Sequence, residues 1–224
     1  MLNLNAIHKT KMQQIPYNYA VIENLLPQES CLQLAANFPQ ADFHLSQGEG
    51  YSYLWSEMLA NNQDINLISK LGKQWSERIA EGRLHSHLSH LSSIWQQLIT
   101  ELWQPAYREA LTEMTGLNLK DCPMLINFRR YNSGDQHRPH TDEPNKILTH
   151  LIFFNQYWPL DWGGCLRILT DSQPESIHQD IPPLHHLSAV IVRSSQSWHT
   201  VTKITTSAAS CRLALRIVFF KPSN

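Results

Sequence analysis

Three side chains in this sequence have the types and spacing of a metal site. His140-Thr141-Asp142 places an imidazole and a carboxylate two residues apart, downstream of the turn formers Asn132-Ser133-Gly134. On an extended segment, residues i and i+2 project to the same side, so both can reach one ion. A third ligand must come from elsewhere, and Ser197-Trp198-His199 supplies an imidazole well downstream. Two histidines and one carboxylate leave three faces of an octahedron open, which suits a ferrous ion that must take up further ligands. An HxD pair alone is a weak signal, and other histidines compete with it. His137 and the pair His185-His186 lie in polar, Pro-flanked stretches and read as solvated loop residues.

The segment after His199 adds a second chemistry. Along 211–220, Arg212, Ala214 and Arg216 share one face of a strand, and Leu213, Leu215 and Ile217 share the other. Two guanidinium groups on an inward face are costly to desolvate without an anion. A dicarboxylate answers that cost, because a guanidinium binds a carboxylate bidentately. An edge strand with both arginines in water is the competing reading. Asn127, Arg129 and Tyr131 share a face of the preceding apolar segment, so Arg129 and Arg216 are candidates to hold a substrate carboxylate or phosphate. A structural salt bridge is the other reading of Arg129. Trp158 and Trp162 flank Pro159-Leu160-Asp161, where Trp162 is a candidate substrate lid or simply covers a sheet.

These residues need a scaffold, and the hydrophobic period changes along the chain. The first half reads mostly helical. Pro27 opens a segment with Leu32, Leu34, Ala35 and Phe38 at helical spacing, and a short strand is expected at 19–22. Ile65, Ile68, Leu71, Trp75 and Ile79 recur every three to four residues, which predicts one amphipathic helix. Leu91, Ile94, Trp95, Leu98, Ile99 and Leu102 predict another that runs toward Gly116, with Pro105 kinking or interrupting it. The second half has short stretches rich in β-branched and aromatic residues at 125–131, 148–155, 165–169, 189–193 and 213–220, separated by turn formers. Helices first and strands after predict an α+β fold with a mostly β core, the helices buttressing an antiparallel or closed double sheet.

Composition narrows the class. With 224 residues, 42% hydrophobic and 17% charged, the chain is long enough for a sizeable core and lacks the signature of disorder. Lys plus Arg number 18 and Asp plus Glu 19, a balance that favours neither nucleic acid nor an anionic membrane as partner. The four cysteines form no CxxC pair, which points to reduced thiols and excludes a zinc ribbon. No stretch approaches the roughly 20 apolar residues of a membrane span, and the first residues lack a secretory apolar run. A cytoplasmic protein acting on a small molecule, with no nucleic acid and no membrane as partner, is the expectation. The oligomeric state is not legible.

Taken in order, the motifs resemble the iron(II)/2-oxoglutarate-dependent oxygenases, in particular the prolyl-4-hydroxylase-like branch. Tyr131-Asn132-Ser133-Gly134 before His140-Thr141-Asp142 is similar to the family's YxxG and HxD stretch. Thr149 to Asn155 resembles the next core strand, and Gly163-Gly164-Cys165-Leu166 the turn that follows. Ser197-Trp198-His199 and Cys211-Arg212 are similar to the distal histidine and the cosubstrate arginine. The resemblance covers 125–220. It implies a double-stranded β-helix (jelly-roll, cupin-like) within one oxygenase domain over 1–224. In that domain 1–120 is mainly helical support with an early strand, and 121–224 is the jelly-roll core with the metal site.

By the same resemblance, His140, Asp142 and His199 are the catalytic Fe(II) ligands and Arg212 binds the distal carboxylate of 2-oxoglutarate. Tyr131, Thr149 and Leu151 line that pocket. O2 and 2-oxoglutarate are then consumed to give succinate, CO2 and a hydroxylated substrate, with ascorbate as reductant in vitro. Related halogenases lack a carboxylate at the Asp142 position, so its presence favours hydroxylation. A small anionic substrate is expected, such as a free amino acid or a natural-product intermediate. A peptidyl or carrier-tethered substrate is the alternative. Two departures stand out. Phe153 falls where relatives often carry a cosubstrate-binding tyrosine, and the His199-to-Arg212 interval is longer than usual, which keeps Arg216 open as the cosubstrate ligand. Outside this class, a non-catalytic cupin-like protein holding zinc or nothing is the main competitor. A hydrolase lacks a credible nucleophile, since no GxSxG motif occurs.

Overall fold

The computed structural model describes residues 1–56, 58–71 and 73–222, with only the backbone of Gln74 and Ser76. The chain begins with α1 (Leu4–Lys9), β1 (Tyr19–Glu23) and α2 (Gln28–Ala36). It continues with the hairpin β2 (Phe43–Gly48) and β3 (Tyr51–Ser56), then β4 (Met58–Leu59), α3 (Asn62–Ile68), α4 (Lys73–Ala80) and β5 (Leu84–His85). Helices α5 (Ser93–Leu102) and α6 (Pro105–Thr115) precede the strand-rich half. There β6 (Met124–Tyr131), β7 (Gln136–His140), β8 (Lys146–Phe153) and β9 (Leu166–Leu169) are followed by β10 (Ile177–Ile181), β11 (Leu187–Val192), β12 (His199–Val201) and β13 (Arg212–Phe220).

The strands form a curled, mostly antiparallel jelly-roll sheet in the order β1-β11-β8-β13-β6-β3-β7-β12-β9-β10. Its two halves meet through β3, which pairs with β6 at Leu54–Arg130 and Trp55–Arg129 and with β7 at Tyr51–His137 and Ser52–Gln136. The central strands β6, β8 and β13 are covered on both faces, so they read as near-continuous apolar runs. Alternation nonetheless sorts them. Ile126, Phe128, Leu148, Ile152, Leu215 and Ile217 pack on the helices around Trp95, Leu98 and Leu102. Residues of opposite parity, among them Arg129, Tyr131, Thr149, Leu151, Arg212 and Arg216, line the cavity on the other side.

Trp95 anchors the helical layer. Its indole donates to the Leu34 carbonyl at 3.1 Å and packs edge-on against Phe128 and Phe154 at 4.7 and 5.0 Å. Two expectations need correction. The first half is more helix than strand, but it holds four strands, β2 to β5, besides the early one. The hairpin strands were hidden because their side chains are half-exposed, which leaves little apolar alternation. The helix predicted through Ile65 to Ile79 is two helices separated by a 3-10 turn at Ser69–Leu71, where the Ser69 hydroxyl donates back to the Asn66 carbonyl at 2.8 Å. The predicted apolar face survives the break, since Ile68 and Trp75 are buried together beneath β13 with Ile65, Leu71 and Ile79 beside them. Pro105 interrupts the helical run, as one of the two expected outcomes, and starts α6 at its first turn, where a missing N–H costs nothing; Gly116 ends that helix at φ 73°.

His150 on β8 points into the helical layer, is fully buried, and shares a 2.7 Å hydrogen bond with the Tyr107 hydroxyl. Burial pulls its pKa from the usual 6.5 down to about 3. The folded chain therefore keeps this ring neutral while the unfolded chain protonates it below pH 6.5, so stability falls as pH falls through the window from about 6.5 to 3. His150→Phe is expected to remove about 2 kcal/mol of the stability lost between pH 7 and pH 5. Urea unfolding of both proteins at the two pH values measures it, and equal losses would dismiss His150 as the source.

Candidate metal and cosubstrate site

His140 ends β7, Asp142 follows it, and His199 opens β12, which pairs with β7 so that His199 lies directly opposite His140. One ligand atom from each of the three comes within 4.8 Å of the other two, close enough to share one ion. The histidine tautomers are set by neighbouring carbonyls. His199 Nδ1 donates to the Ser197 carbonyl and His140 Nδ1 to the Arg138 carbonyl, both at 2.9 Å. Each ring therefore keeps the lone pair of Nε2 free for a metal. Burial holds both imidazoles below their ordinary pKa, in His140 with help from the His199 and His137 charges, so both are neutral and ready to ligate near pH 7.

Asp142 is buried and its two oxygens are claimed separately. Thr149 Oγ1 donates to Oδ2 and Lys146 Nζ to Oδ1, both at 2.7 Å. Burial alone would raise the carboxyl's pKa, but the charges of Lys146 and His199 and these hydrogen bonds override it and hold the group well below the usual carboxylate range. Arg193 Nε also donates to the Asp142 carbonyl at 3.2 Å, which fixes the backbone between β7 and β8.

Arg212 is 1% exposed and lies on the cavity wall. Its guanidinium is sandwiched between the rings of Tyr131 and Phe153, at 5.0 and 5.1 Å from their centroids. Nε donates to the Gly164 carbonyl at 2.7 Å, and buried Nη2 has no hydrogen-bond partner among the described residues. The paired glycines make this possible. Gly163 sits at φ 68°, where a Cβ would collide with the Lys203 carbonyl, and Gly164 sits at φ 67° with its carbonyl turned to the arginine. Phe153, in place of the expected tyrosine, contributes a ring face instead of a hydroxyl. An arginine held on both faces, with a buried N–H left over, fits the carboxylate of a cosubstrate.

The cavity brings together His140, Asp142, His199, Arg212, Tyr131, Thr149, Leu151, Arg129 and Arg216. Trp162 is the exception. It is absent from the lining, and its indole packs against Trp158 and Tyr157 at 5.3 and 5.8 Å as cover for the sheet. His185 and His186 lie between β10 and β11, outside the cavity lining.

Two polar lining residues escape sequence reasoning, His137 and Tyr53, along with the apolar Leu166 and Val201. His137 is not a solvated loop residue. It lies on β7 with Nδ1 2.8 Å from His140 Nδ1, and burial brings its pKa down to about 3. Three residues separate it from His140, which in a regular strand would place the two on opposite faces. The pairing, however, slips between His199–His140 and Val201–His137, so a bulge restores them to one face. Arg138 gives its N–H to the Gly50 carbonyl at 2.7 Å and Pro139 has none to give. Pro139 was the available signal. Tyr53 arrives from β3, and nothing in its local sequence announces it.

Thr149→Val keeps the size of the side chain and removes the hydroxyl that orients Asp142. We expect Mn(II) affinity to fall about tenfold to a hundredfold with an unchanged circular dichroism spectrum. Calorimetric titration of Mn(II) checks this, and equal affinity would show that Asp142 is oriented without Thr149.

Comparisons with known proteins agree with this geometry. Residues 126–220 match the model of the 2OG-Fe(II) oxygenase superfamily. No curated protein matches the sequence. Among solved structures, a prolyl-4-hydroxylase from Pseudomonas putida superposes with a TM-score of 0.64 at 14% identity, covering 98% of this chain and 97% of that one. A Trichoplax adhaerens prolyl hydroxylase in complex with a hypoxia inducible factor peptide fragment gives 0.55 at 16% identity, covering 97% and 88%. A viral collagen prolyl hydroxylase from Paramecium Bursaria Chlorella virus-1, in complex with 2OG, gives 0.52 at 11% identity, covering 92% and 96%. At these identities the likeness is one of fold. Joined to the sequence match over the core strands, it makes residues 126–220 similar to the core of the 2OG-Fe(II) oxygenases, with prolyl hydroxylases among the structural neighbours.

Proposed function

We propose that this chain is an Fe(II)- and 2-oxoglutarate-dependent dioxygenase that hydroxylates an unactivated C–H bond of a small anionic molecule, such as an amino acid or a natural-product intermediate. The observation that carries the reading is the unpartnered, buried Nη2 of Arg212 in the same cavity as the His140, Asp142 and His199 cluster. His140, Asp142 and His199 would hold Fe(II), and Arg212 would hold the distal carboxylate of 2-oxoglutarate. Bound iron, 2-oxoglutarate and O2 supply the oxidising chemistry. The chain's own part is to position and to exclude water.

The two histidines are held neutral by burial, so no proton must leave them before a metal binds. Asp142 stays ionised and offers a fixed carboxylate, which occupies the place a halide would need. Tyr131 and Phe153 cover the faces of Arg212, which strengthens its pairing with a carboxylate by keeping water away. Thr149 and Leu151, inward-facing neighbours of β13, complete the floor. A peptidyl substrate is the second reading, favoured by the peptide bound to the Trichoplax neighbour. Among the described residues no helix is long and apolar enough to cross a membrane.

Purified protein with Fe(II), ascorbate, O2 and 2-oxoglutarate is expected to release succinate, faster when the true substrate is present. His199→Ala should abolish that turnover in a folded protein. Arg212→Ala should weaken 2-oxoglutarate binding by on the order of 2–4 kcal/mol through loss of a charge-assisted pair. Mass spectrometry of amino acids and peptides incubated with the enzyme looks for a product heavier by one oxygen. Succinate release by His199→Ala equal to wild type would refute the ligand assignment.

A further inference from the structure

The cavity holds more positive charge than its ligands explain. Arg129, Arg212 and Arg216 all line it, and Lys146 lines an adjoining pocket that shares Arg129 and Arg216 with it. Lys146 pairs with Asp142 at 2.7 Å and approaches Glu143 at 3.8 Å. The proposed cosubstrate engages Arg212. Arg129 and Arg216 then remain, and neither pairs with a carboxylate among the described residues.

Arg129 is 7% exposed, and its buried Nε has no hydrogen-bond partner among the described residues. One guanidinium face lies 4.2 Å from the Tyr53 ring centroid, which leaves the N–H edge as the part able to bind. Arg216 donates Nε to Asn127 Oδ1 at 3.2 Å, and the buried Nδ2 of the same Asn127 also lacks an acceptor. The register pairs Arg216 with Asn127 and Ala214 with Arg129, so the two arginines are diagonal neighbours on adjacent strands. Burial and the Arg216 charge pull Arg129 down to about 10, which still leaves it cationic at neutral pH. A buried and a half-buried cation side by side, the first with an unpaired N–H, are relieved by an oxyanion between them.

We propose that Arg129 and Arg216 form an oxyanion subsite that holds a carboxylate or phosphate group of the substrate, separate from the Arg212 cosubstrate site. Arg216 lies four residues from Arg212 on β13, about 13 Å along the strand, so the two side chains leave the strand at separate points of the cavity wall. The subsite rests on the oxygenase reading and specifies how its substrate is recognised: the oxidised C–H bond belongs to a molecule that carries an anionic group close to it. Neutral analogues lacking that group would leave the N–H donors unpaired, and this is a strong basis for rejection.

The test uses the full chain loaded with Mn(II) in a phosphate-free buffer. Calorimetric titration of 2-oxoglutarate comes first, then acetate and inorganic phosphate are titrated separately into the 2-oxoglutarate-saturated protein. Wild type is expected to take up one equivalent of at least one anion. Arg129→Gln and Arg216→Gln should each weaken that uptake tenfold or more while holding 2-oxoglutarate affinity within threefold, and Arg129→Lys should recover part of it. Thermal unfolding midpoints identify a variant that fails to fold, in which case the other variant carries the comparison. Absence of saturable uptake by the loaded wild type overturns the subsite, as does uptake that neither glutamine variant weakens. Loss of 2-oxoglutarate binding in Arg216→Gln would assign Arg216 to the cosubstrate and overturn it too. Failure of wild type to bind 2-oxoglutarate at all is read in the first titration and rejects the oxygenase reading itself.

Discussion

Buried charge held in place by hydrogen bonds is the constraint around which this molecule is organised. Asp142, His140, His199, Arg212 and Arg129 all lie inside a β-sheet whose other face is apolar. Each would be expensive to desolvate without support. The support differs for each group. Asp142 has an ammonium on one oxygen and a hydroxyl on the other. Arg212 has two aromatic faces and one glycine carbonyl. The histidines avoid the cost by remaining neutral. The leftover donors, Nη2 of Arg212 and Nε of Arg129, are therefore informative. Each is a buried donor that a bound anion could satisfy.

Such a site needs a stiff frame, and the helices provide it. Strands β6, β8 and β13 present alternate residues to the cavity and to the helical layer, so every polar inward residue is flanked by apolar residues locked around Trp95. The alternation does two jobs in one strand. Leu213, Leu215 and Ile217 secure β13 from behind while Arg212 and Arg216 face the chemistry. The β2–β3 hairpin bridges the two halves of the sheet and carries Tyr53 to the cavity edge, where its ring meets Arg129 and lies 5.4 Å from Tyr131.

Much of this was readable from residue order alone, and the reason is local. His140 and Asp142 are two apart on extended chain, so their common direction follows from strand geometry. Arg212 and Arg216 share parity on an unmistakable strand. Tyr131, Gly163-Gly164 and His199 became legible only through their joint order. The failures are also local in cause. His137 breaks the parity rule because of a bulge at Arg138-Pro139, and Trp162 stayed open between lid and sheet cover because an aromatic near a glycine pair says nothing about which side of a sheet it covers.

Sequence by itself determined which groups exist and which side of each strand they take, because pleat and period are set over a few residues. It therefore determined the candidate ligands, the cationic strand and the helical layer's apolar faces. Only tertiary structure decided what those faces meet. The β7–β12 register puts His199 against His140, and the position of β3 between β6 and β7 delivers Tyr53. The packing that leaves Arg129 without a carboxylate belongs to the same category. These depend on contacts between residues far apart in the chain, whose cost and geometry no local pattern encodes.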